Sequence, residues 1–520
     1  MTAMKNKRQG NPFFRNTVAQ TAGRLLYLLT RVGLPPLILH YVSLEEYGLW
    51  ATCFLLISYV SMGAFGVSNV YIRYVAEYNA KNQHESISGL VSTGLLLTFT
   101  FSLIALSGVW LAMPWLLQGF KVAPHLQHTA QVLILGTLAT MLLDMTLGAF
   151  AYILHGLQKI AQQTLVWIIS FLLETALIVT LLLLHYGIES LLWAFFARYI
   201  FSTFVYIALC YRAIPDLRIS LRLVNRDFLG TFLKYGGILQ LSGLLGVAMY
   251  SIERVLAGYL SGLAAIAILD LGQKFPVMAS QVFSSMNASF LPAITEAHHL
   301  GKREDIQKLY TQGLRYLNLL NGLAMGFLAP FAAWLIIAWI GKNTAMNLAD
   351  TMKVMVCACA GYQLHVLTGP LSAYYQGINQ PARTFGYIGW QVVFVIAGLV
   401  TVWRYSTFDI VTIALLVMVA RILSALVYLL VGNYRLQLKL WRFVRSVLLP
   451  GMMPYVFGYG LMAAIGPWIS SLAPNRWLLI IILGIIGVFY MLLATGYFYA
   501  FMCGEDEQGQ IRQKLNRRKT

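Results

Sequence analysis

The chain reads as an all-α polytopic membrane protein of about fourteen transmembrane helices, two six-helix lobes related by internal duplication plus a C-terminal helix pair. Three observations lead there. Of 520 residues 59% are apolar and only 11% charged, with a mean hydropathy of +0.69, whereas a soluble domain carries about a quarter charged residues. Apolar runs of about 20 residues, the length that spans a bilayer as a helix, recur from end to end. And the sequence matches itself, weakly but in order, when shifted by about 220 residues.

The spans are expected at 16–40, 47–69, 87–112, 127–155, 161–185, 188–212, 228–252, 255–285, 306–340, 347–376, 383–403, 408–432, 447–471 and 476–502. The first follows the basic head MTAMKNKRQGNPFFRN and shows no small-residue cleavage site, so it is expected as a retained helix rather than a signal peptide. The second leads into VYIRYVAEYNAKNQHES (70–86), where Arg73, Glu77, Lys81, His84 and Glu85 interrupt apolar sequence; this predicts a joint to the third. Spans three to six complete the first lobe (1–215), and YRAIPDLRISLRLVNRD (211–227) carries the basic linker 216–227. Spans seven to twelve form the second lobe (228–433). NYRLQLKLWRFVRS (433–446), with the linker 434–446, leads to two helices without a counterpart in the repeat (447–503) and a basic tail (504–520).

The net charge of +18 invites a nucleic-acid reading, but its distribution argues otherwise. With the N-terminus inside, 24 of the 37 Lys and Arg fall in cytoplasmic segments and about six on the opposite side, the asymmetry of the positive-inside rule. Both termini are therefore expected in the cytoplasm, and nucleic acid is not needed as a partner. Cys53, Cys210, Cys357, Cys359 and Cys503 are scattered, without partner ligands at metal spacing, and read as structural thiols.

The duplication rests on four matches in one order. AQTAGR (19–24) meets LQLSGL (239–244), and RYVAEYNAKNQHESISGLVSTGL (73–95) meets PAITEAHHLGKREDIQKLYTQGL (292–314), with Glu77 over Glu296. AYILHGLQKIAQQT (151–164) meets AYYQGINQPART (373–384), and ARYIFSTFVYI (197–207) meets ARILSALVYLL (420–430). Six spans per copy put both lobes in the same orientation, and such repeats place a site between them.

Charges inside the spans are costly and need a partner, a cavity or a task. Asn16, Gln20, Arg24, Tyr27 and Arg31 share an arc of roughly 80° on the first helix. That stripe reads as the wall of a water-filled cavity. The alternative is that Arg31 snorkels to an interface and Arg24 pairs with an acid. Arg198 and Arg421 lie at matching depths of spans six and twelve; either they line the cavity, or each pins helices through carbonyls or Glu174. Lys274 follows Asp270 by four residues, the order that favours an intrahelical ion pair, and Arg315 is a further candidate. Asp144, Glu174, Glu253 and Asp270 are the acids that balance these charges or bind a coupling Na⁺ or H⁺, with His365 opposite Asp144 in the repeat. Helix-bending points are expected at Pro35-Pro36 (ending the first helix), Gly236, Gly237, Gly243, Gly246, Pro330 and Pro370.

The stretch SLEEYGLWATCFLLISYVSMGAFGVSNVYIRYVAEYNA (43–80) resembles the second helix and following loop of bacterial polysaccharide flippases, with Tyr-Gly at its start and an Arg-Tyr-x-Ala-Glu-Tyr-like loop. SIERVLAGYLSGLAAIAILDLG (251–272) is similar to the acidic-Arg pair and Leu-Gly of that family, although Glu253 stands where Asp is usual and the usual Gly-x-Tyr is missing. These O-antigen and exopolysaccharide flippases belong to the multidrug/oligosaccharidyl-lipid/polysaccharide exporter superfamily. The resemblance implies alternating-access transport, not enzymatic catalysis, of undecaprenyl-pyrophosphate oligosaccharide across a bacterial cytoplasmic (inner) membrane, with membrane lipids, a polysaccharide polymerase and assembly proteins as partners. No cofactor is implied beyond a coupling ion. An arginine cluster suits a pyrophosphate because the guanidinium is permanently charged and presents a planar fork of donors. Tyr27, Tyr235, Tyr250 and Trp193 are aromatic candidates for sugar stacking.

Three rivals remain. A multidrug exporter of the same fold would take mostly cationic substrates, which Arg-lined walls repel. An integral-membrane enzyme needs a catalytic loop, and the longest extracytoplasmic loop, PWLLQGFKVAPHLQH (114–128), carries no acid-base pair. The last is a non-transporting component of polysaccharide assembly. No G-x-x-x-x-G-K-[ST] motif is present, so nothing supports an ATP-driven pump.

Overall fold

The computed structural model describes residues 12–61, 66–341, 347–472 and 475–501; among them there are helices and connecting turns and no strand. Chain packing divides into two compact units, Met1–Ala267 and Ile268–Thr520.

The first unit contains α1 (Pro12–Tyr41), α2 (Leu44–Val60), α3 (Val67–Ala80), α4 (His84–Gly119), α5 (Gln127–Leu147), α6 (Ala149–Gly156), α7 (Ile160–Leu183), α8 (Glu189–Ala213) and α9 (Arg226–Ser261). The helix α10 (Leu263–Ser284) crosses the boundary. The second unit continues with α11 (Phe290–His299), α12 (Arg303–Leu328), α13 (Ala332–Ile340), α14 (Leu348–His365), α15 (Thr368–Gly377), α16 (Phe385–Tyr405), α17 (Ile410–Arg435), α18 (Leu440–Phe443), α19 (Leu449–Leu472) and α20 (Arg476–Phe501). Packing thus parts one helix later than the expected linker at 216–227, because α9 packs on α2, α3 and α4. The linker itself is stitched to α4: the Ser88, Ser92 and Thr93 hydroxyls accept from the backbone N–H groups of Arg218, Ser220 and Asn225, each at 3.1 Å.

Among the described residues ten helical stretches are long and apolar enough to cross a membrane, or eleven when the bent pair α12–α13 counts as one span. This is a multi-pass membrane protein. The remaining three of the fourteen expected spans correspond to α1, α2 and α9, which fall outside that set; α2 has 17 residues.

Local chemistry explains where several expected boundaries move. The sequence places the end of the first helix at Pro35 and Pro36, yet α1 runs through both to Tyr41, since membrane helices tolerate proline when neighbours supply the freed backbone groups. The chain turns at a capping box instead: Ser43 Oγ accepts from Glu46 N–H (3.2 Å) and Glu46 Oε2 accepts from Ser43 N–H (2.7 Å). The seventh span does not stop at 252 but continues as α9 to Ser261, through Gly236, Gly237, Gly243 and Gly246, and Gly262 ends it with φ +85°. Arg254, expected in a loop, is therefore helical. Pro330 does mark a break, with α12 and α13 meeting at 69°.

The duplication has a backbone echo. Asn82 (φ 54°) and Gly301 (φ 68°) end α3 and α11 in the left-handed region. In both copies a wide return bond closes the cap, Gln83 N–H to Tyr78 O and Lys302 N–H to Ala297 O, each 2.9 Å. Gln158 (φ 60°) and Asn379 (φ 56°) repeat the arrangement after α6 and α15. The spans α5–α6 and α14–α15 break at aligned places, Gly148 and Val366–Leu367. Side chains of a neighbouring helix also reach carbonyls ahead of each break. Ser102 Oγ donates to Leu142 O (3.3 Å) in one unit, Asn321 Nδ2 to Tyr362 O (3.2 Å) in the other.

The two extra helices join the second unit through small residues and one polar knot. Side chains on Gly326 or Gly458 would collide with the facing backbone of α19 or α12, so the two helices meet backbone to backbone. Beside them Asn318, Asn321 and Gln363 are fully buried. Gln363 Nε2 donates to Asn318 Oδ1 (2.6 Å) and O (2.8 Å), and Asn318 Nδ2 donates to Val447 O (2.7 Å) at the entry to α19. Behind α19, α20 packs on α13 around Phe331, Leu479, Ile482 and Leu483.

Candidate functional site

In the first unit, charged side chains from three helices meet. α1 lies on α7, and α7 on α8. Asn16, Gln20 and Arg24 are on α1, but their side chains lie outside the described residues. Tyr27 and Arg31 are described. The Tyr27 ring packs on Phe171 (5.3 Å between centroids) and Trp167 (5.7 Å) of α7, and Arg31 Cζ lies 5.0 Å from the Tyr27 centroid. This part of the polar stripe is thus in contact with α7.

Glu174 of α7 connects the cluster. Its Oε2 accepts from Arg198 Nη1 at 2.7 Å, while its Oε1 stands 3.7 Å from Arg31 Nη2. The carboxylate is 2% exposed and the side chains of Arg198 and Arg31 are 9% and 23% exposed. Arg198 also lies 4.9 Å from the centroid of Tyr199. A carboxylate this deep needs charged company, because removing its partner leaves an uncompensated charge. One carboxylate nevertheless cannot satisfy two guanidinium groups. The Nε atoms of Arg31 and Arg198 are buried without a hydrogen-bond acceptor. Asp144, half-buried at the end of α5, is the other acid in the field of Arg198. The consecutive helices α7 and α8 and the chain-distant α1 therefore bring Tyr27, Arg31, Glu174 and Arg198 together.

The other candidates are placed differently. Glu253 is buried on α9 in the first unit. In the second unit Lys274 and Asp270 form the i,i+4 ion pair at 2.9 Å that their spacing suggests. Arg421, 3% exposed, sits 4.4 Å from the centroid of Tyr362, whose ring meets His365 edge-on. His365 Nδ1 and Tyr387 Oη share a hydrogen bond of 2.8 Å. Arg315 has a buried Nε without an acceptor. Trp193 and Tyr250 are exposed, and the side chain of Tyr235 lies outside the described residues. Cys53, Cys210 and Cys359 are buried thiols and Cys357 is a partly buried one, none of them in a disulfide; Cys503 lies outside the described residues.

Sequence reading missed the platforms Tyr199, Tyr362 and Tyr387 and the knot of Asn318, Asn321 and Gln363. Tyr199 directly follows Arg198. Asn318 and Asn321 stand at i,i+3 on one helix face, a spacing that could have drawn attention.

The joint between α3 and α4 carries a surface ion pair. Lys81 Nζ donates to Glu77 Oε1 at 2.7 Å, and this partner holds the exposed Glu77 carboxyl below the usual carboxylate range.

Solved structures place the fold. The lipid II flippase MurJ, in an inward closed conformation, is similar at a TM-score of 0.68 and 16% identity, over 93% of this chain and 98% of that one. An inward-facing multidrug resistance MATE family transporter of the MOP superfamily is similar at 0.61 and 17%, over 82% and 98%. A MOP superfamily transporter from Pyrococcus furiosus, described as having a binding pocket of reverse polarity, is similar at 0.53 and 16%, over 82% and 94%. Among curated proteins none matches the chain. The sequence profile of the family described as polysaccharide biosynthesis protein matches residues 13–298, more than half of the chain and the whole stretch from α1 through α10. The chain belongs to this polysaccharide biosynthesis protein family.

Proposed function

We propose that the protein is a flippase that carries a polyprenyl-pyrophosphate-linked oligosaccharide across the bacterial cytoplasmic membrane by alternating access, for assembly of O-antigen, capsule or exopolysaccharide. The observation that carries this reading is the pair of arginines, Arg31 and Arg198, that share the Glu174 carboxylate with two guanidinium Nε–H groups left over. A pyrophosphate offers the acceptors those donors lack, and the sugar-phosphate headgroup crosses along polar walls while the polyprenyl tail stays in lipid. Family membership in polysaccharide biosynthesis and a fold shared with a lipid II flippase support a lipid-linked glycan as cargo. Polymerase and assembly proteins are its natural partners, and both termini face the cytoplasm.

Coupling to Na⁺ or H⁺ falls to the acids inside the spans, Asp144, Glu174, Glu253 or Asp270. The fold shared with a multidrug transporter gives a second reading, export of organic cations; guanidinium groups on the wall disfavour it by like-charge repulsion. Deleting the gene tests the proposal: a flippase deletion accumulates lipid-linked oligosaccharide on the cytoplasmic face, and Arg24→Ala or Arg31→Ala fails to restore surface polysaccharide although folded protein is present. Restoration by both alanine variants overturns the reading.

A further inference from the structure

We infer that Glu174 is an internal stand-in for the substrate's anion: it holds Arg31 in the empty transporter and yields it when a pyrophosphate arrives, while keeping Arg198. The inference rests on the cationic-site reading above and adds the residue that regulates that site.

The two halves of the cluster differ in a way that assigns the roles. Glu174 to Arg198 is a hydrogen-bonded ion pair of 2.7 Å between two buried groups. Glu174 to Arg31 is a charge contact of 3.7 Å, beyond good hydrogen-bond geometry, to a side chain still 23% exposed. The loose, accessible arm is the one an incoming anion can take. Arg31 is also pre-aimed, with its guanidinium against Tyr27, which Trp167 and Phe171 hold in turn. Arg198, only 7% exposed, keeps an Nε–H with no acceptor, an independent sign that the cluster is short of one acceptor-bearing group. When the anion leaves, Glu174 recovers Arg31. The carboxylate thus lowers affinity for the anion, and that lets the cargo go. Glu174 is a positioning residue in this scheme, acting through Arg31.

The test measures binding of inorganic pyrophosphate to the full-length protein in lipid nanodiscs, alongside flipping of a lipid-linked oligosaccharide in proteoliposomes. Glu174→Gln keeps an acceptor for Arg198 but removes the competing charge. It should bind pyrophosphate about tenfold more tightly, a change of about 1.4 kcal/mol, and should lower KM and kcat of flipping together. Glu174→Asp, which keeps the charge but shortens the reach to Arg31, should bind with intermediate affinity and recover most of kcat. Unchanged pyrophosphate affinity in both Glu174 variants, with binding still lost in Arg31→Ala, overturns the stand-in role and leaves the cationic site intact. Equal binding by wild type and Arg31→Ala overturns the cationic site and the stand-in role together. If Glu174→Gln does not fold, Glu174→Asp decides: wild-type affinity in that variant overturns the inference.

Discussion

Arg198 and Arg421 occupy matching places in the two copies of the repeat, each after an alanine near the middle of its helix, and each is buried. Their company differs. Arg198 is tied to Glu174 at 2.7 Å, with Arg31 approaching the same carboxylate. Arg421 lies over Tyr362, beside the hydrogen-bonded pair His365–Tyr387. A second contrast runs along α4 and α12. Carrying the repeat register forward puts Asn318 opposite Phe99; Phe99 is 53% exposed, whereas Asn318 is fully buried under the entry to α19. The two units share backbone features, down to the left-handed caps at Asn82 and Gly301. Side-chain chemistry differs: one unit holds the Arg31–Glu174–Arg198 cluster, and the other the Tyr362 ring against Arg421 and a dock for the extra helices.

Each contrast can be broken. The largest effect is expected from Gly326→Leu, because α12 and α19 touch backbone to backbone there. Overpacking costs about 1–3 kcal/mol even where neighbours can shift, and here backbone cannot; loss of the monodisperse peak in detergent size-exclusion is the expected readout. The matching helix of the first lobe offers the control: Phe99→Leu on α4 changes a side chain that faces outward and should leave that peak unchanged. Next comes Arg198→Ala, which leaves Glu174 buried with only its loose partner and should cost about 3–5 kcal/mol, read as a lowered melting temperature. Tyr362→Leu removes the ring beneath Arg421 and should cost about 1–2 kcal/mol, so the two lobes should rank in that order. The smallest effect belongs to the joint. The folded pKa of Glu77 is depressed by Lys81, so its contribution exists above the unfolded carboxylate pKa and fades as pH falls through the folded value. Lys81 is raised by Glu77, so its contribution exists below the unfolded lysine pKa and fades as pH rises through the folded value. Both groups are exposed, and surface pairs of this kind contribute little. Glu77→Gln should therefore leave melting at neutral pH almost unmoved.

Much of the architecture was legible in the sequence because membrane helices announce themselves by apolar length, and the repeat by its order of matches. Boundaries set by single contacts were less so. Gly262, which ends α9 after Ser261, and the Ser43–Glu46 box, which starts α2 just after α1, each act through one or two residues in an apolar background. The site was half legible. Arg31, Arg198 and Glu174 stand out as charges in apolar helices, but 143 residues of chain separate Arg31 from Glu174 and only packing brings them together. The Asn318–Gln363 knot was hidden because its partners are backbone carbonyls at the start of a helix outside the repeat.

The central claim is that the first-lobe arginines handle an anionic cargo. Proteoliposome flipping of undecaprenyl-pyrophosphate oligosaccharide by wild type, Arg31→Lys and Arg31→Ala tests it most directly. Partial activity is expected for the lysine variant and a loss of at least about tenfold for alanine, with folded protein and melting temperature close to wild type. Wild-type flipping by Arg31→Ala would contradict it.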